Sequence, residues 1–164
     1  RLVRQNQRVV DRSEVERQVL KAPVDRVVAK GTRTMVASRG SGGGTLRWPV
    51  GGGITSRYGP RGGGFHSGID IGAGYGAGVG AAAGGSVVSA GWQGNYGKCV
   101  LINHGNGLVT RYAHLSQINV SSGQSVSSGQ MIGLVGRTGR ATGPHLHFEV
   151  IVNGSARNPM NYLR

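Results

Sequence analysis

TGPHLHFEV, Thr142 to Val150, is the stretch whose reading decides the fold. Side chains two residues apart on a strand point to one face. His145, His147 and Glu149 therefore look one way, while Leu146 and Phe148 look toward an apolar side. The alternation predicts a half-buried strand that carries two imidazoles on its polar face.

Working outward, similar short apolar runs recur between glycines from Arg47 onward: SVVSAGW, KCVLINH, LVTRYAHL, MIGLVG and HLHFEVIVNG, with HGNG and VNG as turn signals. Several short strands at this spacing argue for an all-β sandwich or barrel. VSSGQ at Val120 to Gln124 returns at Val126 to Gln130. Each copy supplies a β-branched residue, a polar turn and a glycine, as two successive corners of a compact sheet require. From Gly62 to Gly85, around FHSGIDIG, glycine is so frequent that only loop or strand-edge structure is expected.

Residues 1–33 alternate branched apolar residues with charges, which predicts two or three exposed strands, although SEVERQVL also permits a helix over Arg12 to Leu20. A Ser/Gly-rich linker, 34–46, containing ASRGSGGGTL, separates this segment from a main domain at 47–164. The length of 164 residues leaves room for little more. Thirty-two glycines without a three-residue period exclude collagen, and one cysteine, Cys99, excludes an internal disulfide. Cys99 is expected to be a small buried hydrophobe.

The formal charge is +13, which favours polyanionic surroundings. Residues 1–40 hold ten Lys or Arg and four acids; residues 41–164 hold nine Lys or Arg and only Asp70 and Glu149. No apolar run of about 18 residues exists, so no membrane span is expected. No export signal is visible, and a chain opening on Arg1 is expected to be a piece of a longer protein.

HSGID adds His66 and Asp70 to the histidine pair, with a turn bringing the two together. An unpaired carboxylate among Gly, Ile and Phe would cost several kcal/mol, so Asp70 needs a cationic partner, and a metal ion is the natural candidate. TRYAHLS adds His114. Four histidines and one such acid predict a metal site, and nitrogen and oxygen donors favour zinc with a position left for water.

The stretches RWPVGGGITSRYGPR, FHSGIDI, NHGNGLVTRYAHLS, VSSGQSVSSGQMIGLVGRTGRATGPHLHFEV and NGSARNPMNYL resemble the lysostaphin-like, LytM-type zinc endopeptidases that cut peptidoglycan peptides. The resemblance covers nearly all of 47–164. It implies a small antiparallel β-sandwich of the duplicated hybrid motif kind, with the active site in a groove. It also implies one Zn2+ ion held by His66, Asp70 and His147, with His114 and His145 as catalytic imidazoles. Which of these two takes the proton stays open. The run GAGYGAGVGAAAGGSVV departs from the family's usual pattern, which touches loop geometry and not the ligands.

VLKAPVDRVVAKGTR is similar to the end of a G-five domain of bacterial cell-wall proteins, so residues 1–33 are expected to be a partial copy, and the protein is expected to be an extracytoplasmic, wall-facing monomer. Anionic wall polymers are expected partners. His104 is expected to be structural. Tyr112, two residues before His114, is either a hydrogen-bond donor to an oxyanion or a packing residue. Glu149 is expected to support the ligands, and Arg57, Arg61, Arg137 and Arg140 to meet substrate carboxylates or solvent. Few aromatics and no binding motif argue against nucleic acid. The alternative to hydrolysis is an inactive wall-binding or assembly protein of the same fold.

Overall fold

A computed structural model describes residues 3–5, 8–11 and 45–164. The chain divides into two compact units, Arg1–Thr34 and Met35–Arg164. In the first, β1 (Val3–Gln5) pairs antiparallel with β2 (Arg8–Asp11). The helix considered over Arg12 to Leu20, and most of the linker, lie outside the described residues.

The second unit is built from β3 (Gly53–Ser56), β4 (Gly59–Arg61), β5 (Gly64–His66), β6 (Ile69–Gly72), β7 (Gly78–Gly80), β8 (Gly85–Trp92) and β9 (Lys98–Gly105). It continues through β10 (Leu108–Ile118), β11 (Ser125–Val126), β12 (Met131–Val135), β13 (His145–Val152) and β14 (Ser155–Arg157). Among the described residues its regular helix amounts to two 3-10 turns, Gly94–Tyr96 and Pro159–Asn161. The strands form a small antiparallel β-sandwich, as the family resemblance implies and as one of the two architectures the short alternating runs allow.

Local chemistry sets the corners. Asn106–Gly107 and Asn153–Gly154, the glycine-containing turns of HGNG and VNG, have positive φ at both positions, 50° and 75°, then 50° and 78°. Such turns match the twist of the strands they join, β9 to β10 and β13 to β14. The two VSSGQ copies make one turn twice. In each, Gly123 or Gly129 is left-handed, and the Gln Oε1 accepts from a Ser N–H at 3.0 Å. Val120 and Val126 enter the core from the two copies.

The main path of the sheet runs β11-β8-β9-β10-β13-β6-β3. Tyr112 faces Phe148, and Ile71 faces Leu146, across neighbouring strands, and all four are fully buried with Ile69, Leu115, Ile132 and Val135. Each large apolar side chain so buried stabilises the fold by about 1.5–3 kcal/mol. Leu46, placed by sequence at the end of the linker, is 1% exposed and bridges Leu163 within this core. Cys99 is fully buried as a small hydrophobe, and burial pushes its thiol up to about 12.

The long strand β10 serves two neighbourhoods. Up to Ala113 it lies between β9 and β13; from Leu115 it pairs with β12, which extends to β7. At the junction stands His114, with φ of 62°, the left-handed region that costs a non-glycine residue about 1–2 kcal/mol.

Candidate active site

Register brings the first pair together: Asp70 in β6 stands directly opposite His147 in β13. Cross-strand partners have Cβ atoms about 4.5–5.5 Å apart, and here His147 Nδ1 lies 2.8 Å from Asp70 Oδ1. His66, at the end of β5, swings Nε2 to 3.1 Å from the same oxygen and 3.1 Å from His147 Nδ1. Gly68 permits this turn. A Cβ there would lie 2.3 Å from the Phe148 carbonyl oxygen.

His145 joins from the same face of β13, its Nε2 3.7 Å from Asp70 Oδ1. His114 arrives differently. In regular register Ala113, opposite His147, would share its face, and His114 would point into the core with Tyr112. The left-handed backbone turns His114 over instead, and its ring sits 4.8 Å from His145 and 5.8 Å from His147, centroid to centroid. This corrects the parity expected for Tyr112. Its ring is buried in the core, and its hydroxyl accepts from the Ala82 N–H at 2.8 Å and meets Thr110 Oγ1 at 2.9 Å. Packing, not oxyanion binding, is its role, and burial lifts the phenol to about 12. His104 is likewise structural, joining Gly84 O and Thr110 Oγ1.

Every imidazole of the cluster has one nitrogen committed. His66 Nδ1–H donates to Arg57 O at 2.8 Å, His114 Nδ1–H to Thr138 O at 2.8 Å, and His145 Nδ1–H to Gly143 O at 2.9 Å. His147 is bound from its other end, Nε2–H donating to Glu149 Oε1 at 3.0 Å. His66 Nε2, His147 Nδ1 and Asp70 Oδ1 thus face one another within 3.1 Å, three ligand atoms placed to hold one cation. Two imidazoles and a carboxylate suit zinc.

Glu149 is 1% exposed and pairs directly across the sheet with Arg111. Its carboxylate accepts from Arg111 at 2.7 Å, from Tyr96 Oη at 2.9 Å, from Ser67 Oγ and from His147. Burial would raise this carboxyl, but the His147 and Ser67 hydrogen bonds and the Arg111 charge prevail and hold it at about 2. The Arg111 guanidinium also stacks 4.3 Å above the Tyr96 ring. Sequence reasoning missed Ser67, Tyr96 and Arg111. The signal available was that Arg111 falls on the same face of its strand as Ala113, the partner of His147.

Burial likewise works against the charge of Asp70, yet hydrogen bonding and charge from His147, then His66 and Arg61, hold its carboxyl well below the ordinary range. Arg61 reaches Asp70 Oδ2 at 3.0 Å. For His147, burial pushes the imidazole down and the Asp70 and Glu149 carboxylates lift it above its usual value. Burial lowers the His114 imidazole below its usual value. Both acids of residues 41–164 are therefore spent on one histidine.

The five side chains floor an open groove of about 530 Å³, lined further by Arg61 to Phe65, Asn95, Tyr96, Arg140 and Thr142. Of the four arginines considered, Arg61 and Arg140 line it, while Arg57 contributes its carbonyl to His66.

Residues 64–159 match Peptidase family M23, and residues 1–33 match the G5 domain. The chain is 47% identical over 107 residues to peptidoglycan DD-endopeptidase ShyA of Vibrio cholerae, covering 65% of this chain and 24% of that protein. The chain spans about a quarter of the length of the curated relatives it matches. Among solved structures it superposes on a zinc containing peptidase from Vibrio cholerae with TM-score 0.67 and 36% identity, covering 71% of this chain and 39% of that one. It superposes on the catalytic domain of the antimicrobial peptidase lysostaphin from Staphylococcus simulans with TM-score 0.63 and 36% identity, covering 66% and 89%.

Proposed function

The chain belongs to peptidase family M23, and from that membership we propose that it is a zinc-dependent endopeptidase hydrolysing amide bonds in peptidoglycan peptides. The observation that carries the proposal is the convergence of three metal-ligand atoms: His66 Nε2, Asp70 Oδ1 and His147 Nδ1, each within 3.1 Å of the others. These three would hold the ion. Bound zinc supplies a positive charge that polarises a carbonyl and makes a water molecule more acidic.

The chain's own groups handle the protons. His145, with Nδ1–H held by Gly143 O, presents the Nε2 lone pair beside Asp70 and acts as general base toward water. His114, with Nδ1–H held by Thr138 O, presents a second lone pair beside it. The proton that His145 takes from water is the one the departing amine receives; relayed through His114 Nε2, it lets His114 donate a hydrogen bond to the oxygen of the tetrahedral species on the way. No step calls on a glutamate, since Glu149 is turned away to the far nitrogen of His147.

An open groove with Arg61 and Arg140 on its lining suits an extended peptide that carries carboxylates. The match of residues 1–33 to the G5 domain and the charge of +13 support work outside the cytoplasm, against an anionic wall. Among the described residues no helix is long and apolar enough to cross a membrane.

The test is digestion of purified peptidoglycan, reading new amino groups and fragment masses, alongside metal content. Wild type should hold one zinc and release amines. His66→Ala should lose both. His114→Ala and His145→Ala should keep zinc and lose cleavage; wild-type rates in both would refute the assignment of the imidazoles.

A further inference from the structure

Between β12 and β13 the chain passes over the bend of β10, and one residue there makes three anchoring contacts. The Thr138 carbonyl accepts the His114 Nδ1–H at 2.8 Å. The Thr138 hydroxyl donates to Leu115 O at 2.7 Å and accepts from the Lys98 N–H at 3.0 Å. It thereby ties itself to the residue after His114 and to the adjacent strand β9. The segment is clasped from outside as well, since the Arg140 N–H donates to Asn95 O at 2.8 Å.

Two glycines make the clasp close. Gly97 and Gly139 are left-handed, with φ of 65° and 71°. A Cβ on Gly97 would lie 2.4 Å from the Thr138 carbonyl carbon, and one on Gly139 would lie 2.4 Å from Asn95 O and from Gly97 N. No larger residue fits either place. An imidazole on a left-handed, strained backbone has no regular strand geometry to fix its ring, so its aim depends on what grips the ring nitrogen.

We propose that Thr138 is the positioning residue for His114: its carbonyl sets the tautomer and direction of the ring, and its hydroxyl, braced by the Gly97–Gly139 clasp, holds that carbonyl still. The inference rests on the role given above to His114 in hydrolysis. It concerns a residue that is not among those lining the groove.

The experiment compares Thr138→Val, which keeps the shape and removes the hydroxyl, with Thr138→Ser, which keeps the hydroxyl. Nitrogen-resolved NMR of the histidines in zinc-free protein is read alongside kcat, KM and zinc affinity. Wild type should show His114 protonated at Nδ1 in a hydrogen bond. In Thr138→Val that signature should give way to mixed tautomers, with kcat lower by roughly tenfold to a hundredfold, the scale of a misplaced catalytic group, and KM and zinc affinity unchanged. Thr138→Ser should restore both.

Wild-type kcat and an unchanged His114 signal in Thr138→Val would overturn the proposal. So would a wild-type protein with His114 protonated at Nε2, a result that does not depend on the valine variant folding. An inactive His114→Ala measured in parallel separates that failure from failure of the functional reading, which an active His114→Ala would overturn instead.

Discussion

Replacing Glu149 by Gln removes one charge from the least exposed polar side chain of the site while keeping its shape. The carboxylate accepts from His147, Arg111, Tyr96 and Ser67 and is 1% exposed. Folding lowers its ionisation from an ordinary 4.5 to about 2. At 1.36 kcal/mol per pH unit this is roughly 3 kcal/mol of stability. The same scale, about 3–5 kcal/mol, is expected when one partner of a buried ion pair is removed. Because the folded value lies below the unfolded one, the contribution is complete above pH 4.5 and drains as pH falls toward about 2. Zinc-free Glu149→Gln should therefore lose roughly 3 kcal/mol near neutral pH, measured by urea unfolding. The gap from wild type should close as the medium is acidified through that window. The amide also grips the His147 Nε2–H less firmly, and loss of such an outer partner lowers metal affinity by roughly 10–100-fold. Competition for zinc against a chromophoric chelator reads this directly. Neutral-pH stability within about 0.5 kcal/mol of wild type, the size of an ordinary surface change, together with zinc affinity within twofold, would refute the reasoning.

Three other outcomes follow from contacts in the domain. His114→Gly should leave the zinc-free protein about 1 kcal/mol more stable than His114→Ala, because only glycine relieves the left-handed backbone; equal urea midpoints would show that no strain is stored there. Tyr112→Phe should cost about 1–2 kcal/mol by leaving the buried Ala82 N–H unpaired, with kcat on peptidoglycan within twofold of wild type; a large fall in kcat would return this phenol to the reaction. Gly68→Ala drives a methyl into Phe148 O and Glu149 Cγ and should destabilise the fold by about 1–3 kcal/mol and weaken zinc binding, as thermal unfolding with and without zinc will show.

How far the site could be read from sequence depended on whether ordinary strand rules applied to each residue. His145, His147 and Glu149 were legible because β13 is regular and alternation holds along it. Asp70 was legible because it is one of only two acids after residue 41. His114 is beyond any parity argument: one left-handed residue reverses its side, which is why Tyr112 seemed to share its face. The scarcity of histidines brought it into the cluster, and family resemblance, not periodicity, supplied its role. The grip of Thr138 on that ring was hidden for another reason. It comes from a backbone carbonyl, which every residue has, and from two glycines whose close approach only the folded chain reveals. The all-β class was plain from short runs and Asn-Gly turns, with the resemblance choosing sandwich over barrel, whereas Leu46 looked like linker because a single apolar residue after a Ser/Gly run has no period to announce it.

The bend at His114 also limits how this chemistry could be moved to another scaffold. An ideal, flat ribbon carrying the same five side chains in the same order would bury the fourth imidazole in oil, where it could meet neither solvent nor substrate. Anyone grafting the centre must import the corner together with the residues, because here the defect in the strand is the part that cannot be copied as a sequence motif.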